Sequence, residues 1–150
     1  MEPERRTDIA LLGILEELQR REPIFHRPEY GTTRADFETM MAEEFWETGA
    51  SGSRYSREHV LDVLEQRHLQ PQEDLWRTSD FQCLKIASDN FLLTYTLAQG
   101  ERVTRRATIW RSTAEGWKIV YHQGTIVSND ASPVAAPEDR TAGPRQQEPT

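Results

Sequence analysis

The sequence lacks most features that would announce a chemistry at once. It has one cysteine, Cys83, in 150 residues, so no disulfide can close within the chain. Cys83 falls in a strand pattern, where a lone thiol reads as a small buried residue. No apolar run approaches the roughly 20 residues of a membrane-spanning helix. The start is charged from Glu2 to Asp8, unlike a signal peptide, so the expectation is a cytoplasmic, soluble protein without a membrane partner. Positive charge is also short: the net charge is −7. Nucleic-acid binding needs a cationic footprint, and none is evident. Arg102, Arg105, Arg106 and Arg111 do cluster, and read first as a solvated, edge-guarding strand face. The four histidines, His26, His59, His68 and His122, show no pair at ligand spacing, so no metal site is expected. There is no phosphate-cradling glycine loop and no serine nucleophile motif. No cofactor is expected.

What is present begins with one domain, expected over residues 1–127. Residues 128–150 carry Pro133, Pro137, Pro144 and Pro149 and almost nothing large and apolar. Such a stretch cannot offset its ordering entropy, so a disordered tail is expected. Residues 7–21 read as an amphipathic helix, with Ile9, Leu11, Leu12, Ile14, Leu15 and Leu18 on one face. Thr7 or Asp8 can cap it. Pro23 to Thr33 is a connector, unusually aromatic through Phe25, His26 and Tyr30. Thr33 and Asp36 form a capping-box pattern ahead of a short helix bearing Phe37, Met40 and Met41. A strand over 45–48, a turn over 49–53 and a short return at Arg54-Tyr55 follow. Ser56 can cap a third helix over about 57–67, and Pro71 ends that region.

From Asp74 the period changes to two. Strands are predicted over 75–87, 91–98, 103–112 and 117–126. Short links make them antiparallel neighbours in sequence order, and the length of the first predicts a bulge. The fold class is α+β: a curved, cone-shaped antiparallel sheet with three helices from the N-terminal half on its concave face.

The order helix, helix, strand, helix, four strands resembles the nuclear transport factor 2-like superfamily, whose cone is shared with ketosteroid isomerase and the polyketide cyclases. The carrying residues are the run Glu44 to Gly52, then Tyr55, then Arg106, Thr108 and Trp110. The run from Gly116 to Thr125, ending His122-Gln123-Gly124-Thr125, is similar to a branch of small bacterial domains of unknown function. The resemblance covers residues 8–126. It implies a small-molecule-binding cone, with isomerase-, cyclase- or dehydratase-like activity on an apolar or aromatic metabolite as its finer form. The alternative is a noncatalytic homodimeric module with a filled core.

Candidate residues follow from chemistry and strand parity. His122 can exchange a proton near neutrality, with Glu47 as its carboxylate partner. Glu47 and Asp80 are the carboxylates considered for an interior role. Glu47 can also pair with Arg106. Trp46, Tyr55 and Trp110 can wall a pocket, with Tyr95, Arg106 and Gln123 as further ligand contacts. The simpler reading of His122 is a histidine bonded within the sheet, holding Tyr95 or Thr108. Gly124 marks a bulge or close backbone approach. Alternation in the last strand puts Trp117, Ile119, Tyr121 and Gln123 on one face, with Lys118, Val120, His122 and Gly124 on the other. Both sheet faces are partly apolar, which predicts a homodimer through the outer face.

Overall fold

The computed structural model describes residues 1–69 and 75–128, the side chains at 68 and 69 aside. Pro71 and nearly all of the expected tail lie outside the described residues. Helix α1 (Leu12–Gln19) follows a single 3₁₀ turn at Ile9–Leu11, capped by Asp8. Thr7 is used otherwise: its hydroxyl accepts the Cys83 N–H at 3.0 Å and donates to Gln82 at 2.6 Å. Helix α2 (Arg34–Met40) begins on the Thr33–Asp36 capping box and runs directly into strand β1 (Met41–Thr48). The strand thus starts four residues ahead of the position predicted from the apolar run, because Met41 already pairs with Ile119. Gly31, at φ +133°, passes against the Asp36 side chain, leaving no room for a Cβ. Strand β2 (Arg54–Ser56) leads to helix α3 (Arg57–Leu69), whose His59 N–H is capped by the Ser56 hydroxyl at 3.1 Å. Strands β3 (Arg77–Ala87), β4 (Asn90–Gln99), β5 (Arg102–Thr113) and β6 (Gly116–Ile126) complete the chain.

The strands form one six-stranded sheet in the order β2-β1-β6-β5-β4-β3. The last four are antiparallel neighbours in sequence order, while β1 returns to pair parallel with β6. The sheet is therefore mixed, with one parallel junction in an otherwise antiparallel meander. Edge strand β3 carries register shifts at Ser79/Gln82 and Lys85/Ala87, in keeping with its length. Its outer rim is guarded by the N-terminal segment through Thr7 and an Arg5–Asp80 ion pair at 2.8 Å. Covering an edge in this way blunts strand addition by other chains.

The helices cover one sheet face. Leu18, Val60, Leu61 and Leu64 pack with Phe45, Leu93, Leu97 and Ile119 in a single core. The aromatic connector belongs to it: Phe25 meets Phe37 and Phe45 edge-on, at 5.8 and 6.2 Å between centroids. One helix expectation differs. Ile9 and Leu12 are exposed, at 81% and 48%, so the apolar stripe of the first helix is only partly covered.

Candidate functional site

The inner face is defined by alternate residues of three strands. Phe91, Leu93, Tyr95 and Leu97 of β4, and Thr104, Arg106, Thr108 and Trp110 of β5, are all buried. On β6 the alternation breaks. Trp110 pairs with Ile119, whereas Ile109 pairs with Tyr121, so Val120 is a bulged extra residue. Beyond it, His122 and Gly124 face inward, where Ile119 already does. The predicted parity therefore holds for His122 and Gly124 but not for Ile119: a bulge inserts one residue and resets the faces.

This reset aligns the polar side chains of three strands in a row that Leu93 continues on one side and Tyr55 on the other. Leu93, Thr108, His122, Glu47 and Tyr55 are successive register partners across β4, β5, β6, β1 and β2. His122 is 1% exposed. Its Nε2 lies 3.3 Å from Arg106 Nη1, and its Nδ1 lies 2.8 Å from Thr108 Oγ1. A guanidinium can only donate, so Nε2 accepts and Nδ1–H donates to Thr108. Burial, with the Arg106 charge beside it, holds His122 well below the usual histidine range. The ring is neutral, and its nitrogens are committed to Thr108 and Arg106 rather than to Glu47.

Arg106 corrects the reading of the arginine cluster as a solvated face. Arg102 and Arg105 are exposed, but Arg106 is 5% exposed and faces inward. Its Nε donates to Thr104 at 2.9 Å. The guanidinium lies flat over Gly124, where an added Cβ would stand 3.2 Å from Cζ and Nε. Gly124 is the close backbone approach that the sequence suggested. Burial holds Arg106 below the usual arginine range, and Glu47, fully buried, opposes this by favouring the charged form.

The interior carboxylate that the sequence reading passed over is Glu22, which falls between the first helix and the connector. It is 0% exposed. Oε1 accepts the Tyr95 hydroxyl at 2.6 Å and the Ile24 N–H at 3.1 Å. Oε2 accepts the Trp110 indole N–H at 3.0 Å. Burial pushes its pKa up to about 6, against the lowering effect of Tyr95, Thr108 and Trp110. The sequence signal was the step from a charged helix end into Pro23-Ile24-Phe25, which carries Glu22 into the core with its apolar neighbours. Asp80, considered for this role, sits at the surface: its backbone is left-handed at φ +63° within the β3 irregularity, and its carboxylate meets Arg5.

Of the residues proposed from sequence, the structure brings Tyr95, Arg106, Trp110, His122 and Glu47 to the inner face. Tyr55 is half-buried, stacked on His59 at 5.0 Å between ring centroids. Trp46 and Gln123 lie on the opposite face. The Trp46 ring is 4.7 Å from Tyr121, whose hydroxyl donates to Gln123 at 2.7 Å. That outer face carries a continuous row of register partners, Leu84, Leu92, Ile109, Tyr121 and Trp46.

Among the described residues no three histidines, cysteines or carboxylates gather as a metal site, and no helix is long and apolar enough to cross a membrane. No protein-family model matches the chain, and no curated protein matches its sequence. Solved structures do match. A nuclear transport factor 2-like protein of unknown function in nutrient uptake from Rhodospirillum rubrum superposes with a TM-score of 0.57 at 20% identity, over 81% of this chain and 99% of that one. A candidate calcium/calmodulin-dependent kinase II association domain from Exiguobacterium sibiricum gives 0.55 at 17%, over 87% and 99%. A candidate ketosteroid isomerase from Parabacteroides distasonis gives 0.53 at 14%, over 81% and 90%. At these identities the likeness is one of fold. The chain has the nuclear transport factor 2-like cone.

Proposed function

We propose that this cone binds a small apolar or aromatic molecule at its inner face. One observation carries the reading: the Tyr95 hydroxyl and the Trp110 indole N–H, from neighbouring strands, converge on one acceptor inside an apolar wall. Few, convergent polar groups within an apolar concavity are the usual composition of a ligand site. An isomerase-, cyclase- or dehydratase-like reaction asks in addition for a group that exchanges protons near neutrality. His122, held neutral between Thr108 and Arg106, is poorly suited to that task. Its geometry supports a positioning role, and binding stands ahead of catalysis.

A second reading has its own observation. The outer row from Leu84 to Trp46 leaves Leu84 and Trp46 exposed, at 53% and 43%, with Ile86 nearby at 48%. A second copy of the chain is the natural cover for such a stripe. A homodimer through the outer face is compatible with an occupied cone.

Nuclear magnetic resonance of the tryptophan indole N–H groups tests the binding reading, using a library of small aromatic and alicyclic compounds. Trp110 sits on the inner face and Trp46 on the outer. Compounds that shift Trp110 and leave Trp46 in place support the reading. A library that moves Trp46 alone sinks it.

A further inference from the structure

The acceptor shared by Tyr95 and Trp110 belongs to the chain itself. Glu22 satisfies both donors, and the residues after it fill the adjoining volume. Ile24 and Phe25 are 1% and 8% exposed. The space left among Ile24, Phe25, Met40, Trp110, Trp117 and Ile119 is about 20 Å³, enough for about one water. An organic molecule reaching Trp110 must therefore displace the segment from Glu22 to Arg27.

That segment is a strap closed by a bond within itself and held by contacts to Trp76 and Arg67. Arg27 Nε donates to the Glu22 carbonyl at 2.8 Å, and the Arg27 guanidinium lies over the Trp76 ring at 4.7 Å. Arg67 Nη2 donates to the Phe25 carbonyl at 3.3 Å. Phe25 itself sits at φ +66°, a left-handed backbone that a bulky residue adopts only when its surroundings impose it. The strap is ordered at a cost in strain, and the carboxylate at its head is ordered at a cost in hydration.

The chemistry at the head of the strap is that of an anion site. Two side-chain donors from separate strands meet the two oxygens of one carboxylate, Tyr95 at Oε1 beside the Ile24 N–H and Trp110 at Oε2, and Thr108 is bonded to the same carboxylate. Burial and the neighbouring Glu22 hold the Tyr95 hydroxyl well above the usual tyrosine range, so it stays a donor, with Arg106 and Arg27 acting weakly the other way. The wall beyond is mostly apolar and aromatic, with Arg21 and Arg27 also lining it. Two donors on separate strands match the two oxygens of a carboxylate as a single carbonyl oxygen cannot, and this pairing works against the burial that pushes the Glu22 pKa up to about 6.

We infer that Tyr95 and Trp110 form a carboxylate site, that Glu22 is its internal occupant, and that the cone takes a small apolar or aromatic carboxylic acid whose carboxylate replaces that of Glu22. The inference rests on the binding reading above and names its ligand class. It makes the strap a competitor of the ligand: the site is complementary but already filled, so affinity is reduced by the fraction of molecules in which Glu22 holds it.

Phenylacetate and its neutral isostere phenylacetamide are the probes, titrated by calorimetry into the full chain and into its Glu22→Ala and Glu22→Gln variants, with the Trp110 indole followed in parallel. Phenylacetate is expected to bind the wild type weakly and Glu22→Ala about tenfold more tightly, because the internal carboxylate is gone. Glu22→Gln keeps the shape of the strap and reports the same gain in smaller measure should the alanine variant fail to fold. Phenylacetamide is expected to bind about tenfold less tightly than phenylacetate. Equal affinity for the two probes, or no gain for phenylacetate in either variant, overturns the carboxylate site and leaves the binding reading standing. Failure of both probes in all three proteins takes the binding reading down as well.

Discussion

The Tyr95 hydroxyl donates a 2.6 Å hydrogen bond to Glu22, joining the inner face of the sheet to a residue 73 positions earlier in the chain. The bond is buried on both sides, and the Trp110 indole completes it from the next strand. Behind it, donation runs in one direction, from Arg106 to His122 to Thr108. Polar groups linked in this way strengthen one another in a low dielectric, and each is costly to orphan.

Glu22 gives the interior a pH dependence whose sign is fixed by its environment. Its folded pKa, about 6, lies above the ordinary value of 4.5. The folded state therefore binds a proton more readily than the unfolded chain. Stability from this group is full below pH 4.5 and is lost as pH rises through about 6, by about 2 kcal/mol. Urea unfolding of wild type against Glu22→Gln from pH 4.5 to 7.5 should show the wild type losing that amount relative to the variant. A constant difference across the range contradicts the buried carboxylate.

His122 acts in the opposite sense. It is held neutral well below the usual histidine range, so its contribution is full above pH 6.5 and is lost as pH falls through its lowered folded pKa. His122→Ala strips both Thr108 and Arg106 of their partner. A loss of about 2–4 kcal/mol is expected in chemical denaturation. A variant as stable as the wild type would show that the ring anchors nothing.

Gly124→Ala tests the contact between Arg106 and the β6 backbone. The new Cβ would press on the guanidinium at 3.2 Å, in a site where Arg106 is bonded to both Thr104 and His122. The guanidinium can give way by a few tenths of an ångström only by stretching these bonds. Destabilisation of about 1–3 kcal/mol is expected by thermal or urea unfolding. Unchanged stability would mean that the arginine moves freely.

The outer face is tested by Leu84→Glu. Leu84 is more than half exposed, so the charge should leave the monomer's fold intact. Sedimentation should then find wild-type dimers and variant monomers with the same circular dichroism. A wild-type monomer, or a variant that still dimerises, removes the outer-face homodimer.

Much of the fold was legible because its signals are local. The Thr33–Asp36 cap, the Ser56 cap and the short links of the final meander each depend on residues a few positions apart. The alternation of β4 and of Arg106, Thr108 and Trp110 could be read from period two, but which of the two faces turns inward could not. The parity of β6 could not, since the Val120 bulge is set by pairing with β5 and not by composition. Glu22 was hidden for a related reason. A carboxylate at a charged helix end reads as solvated unless its partners are known, and these lie 73 and 88 residues away. Trp46 looked like a pocket wall because large aromatics usually are; its register with Tyr121 puts it on the outer face instead.

The account rests on an inner face built to hold a small molecule. Native mass spectrometry of the chain purified under gentle conditions from its own host tests this most directly, since it reads retained ligands and assembly together. The account predicts a dimer that carries the added mass of a small organic acid, released when the protein is denatured. A clean spectrum at every preparation, with the same small acids failing to bind when added back, would contradict it.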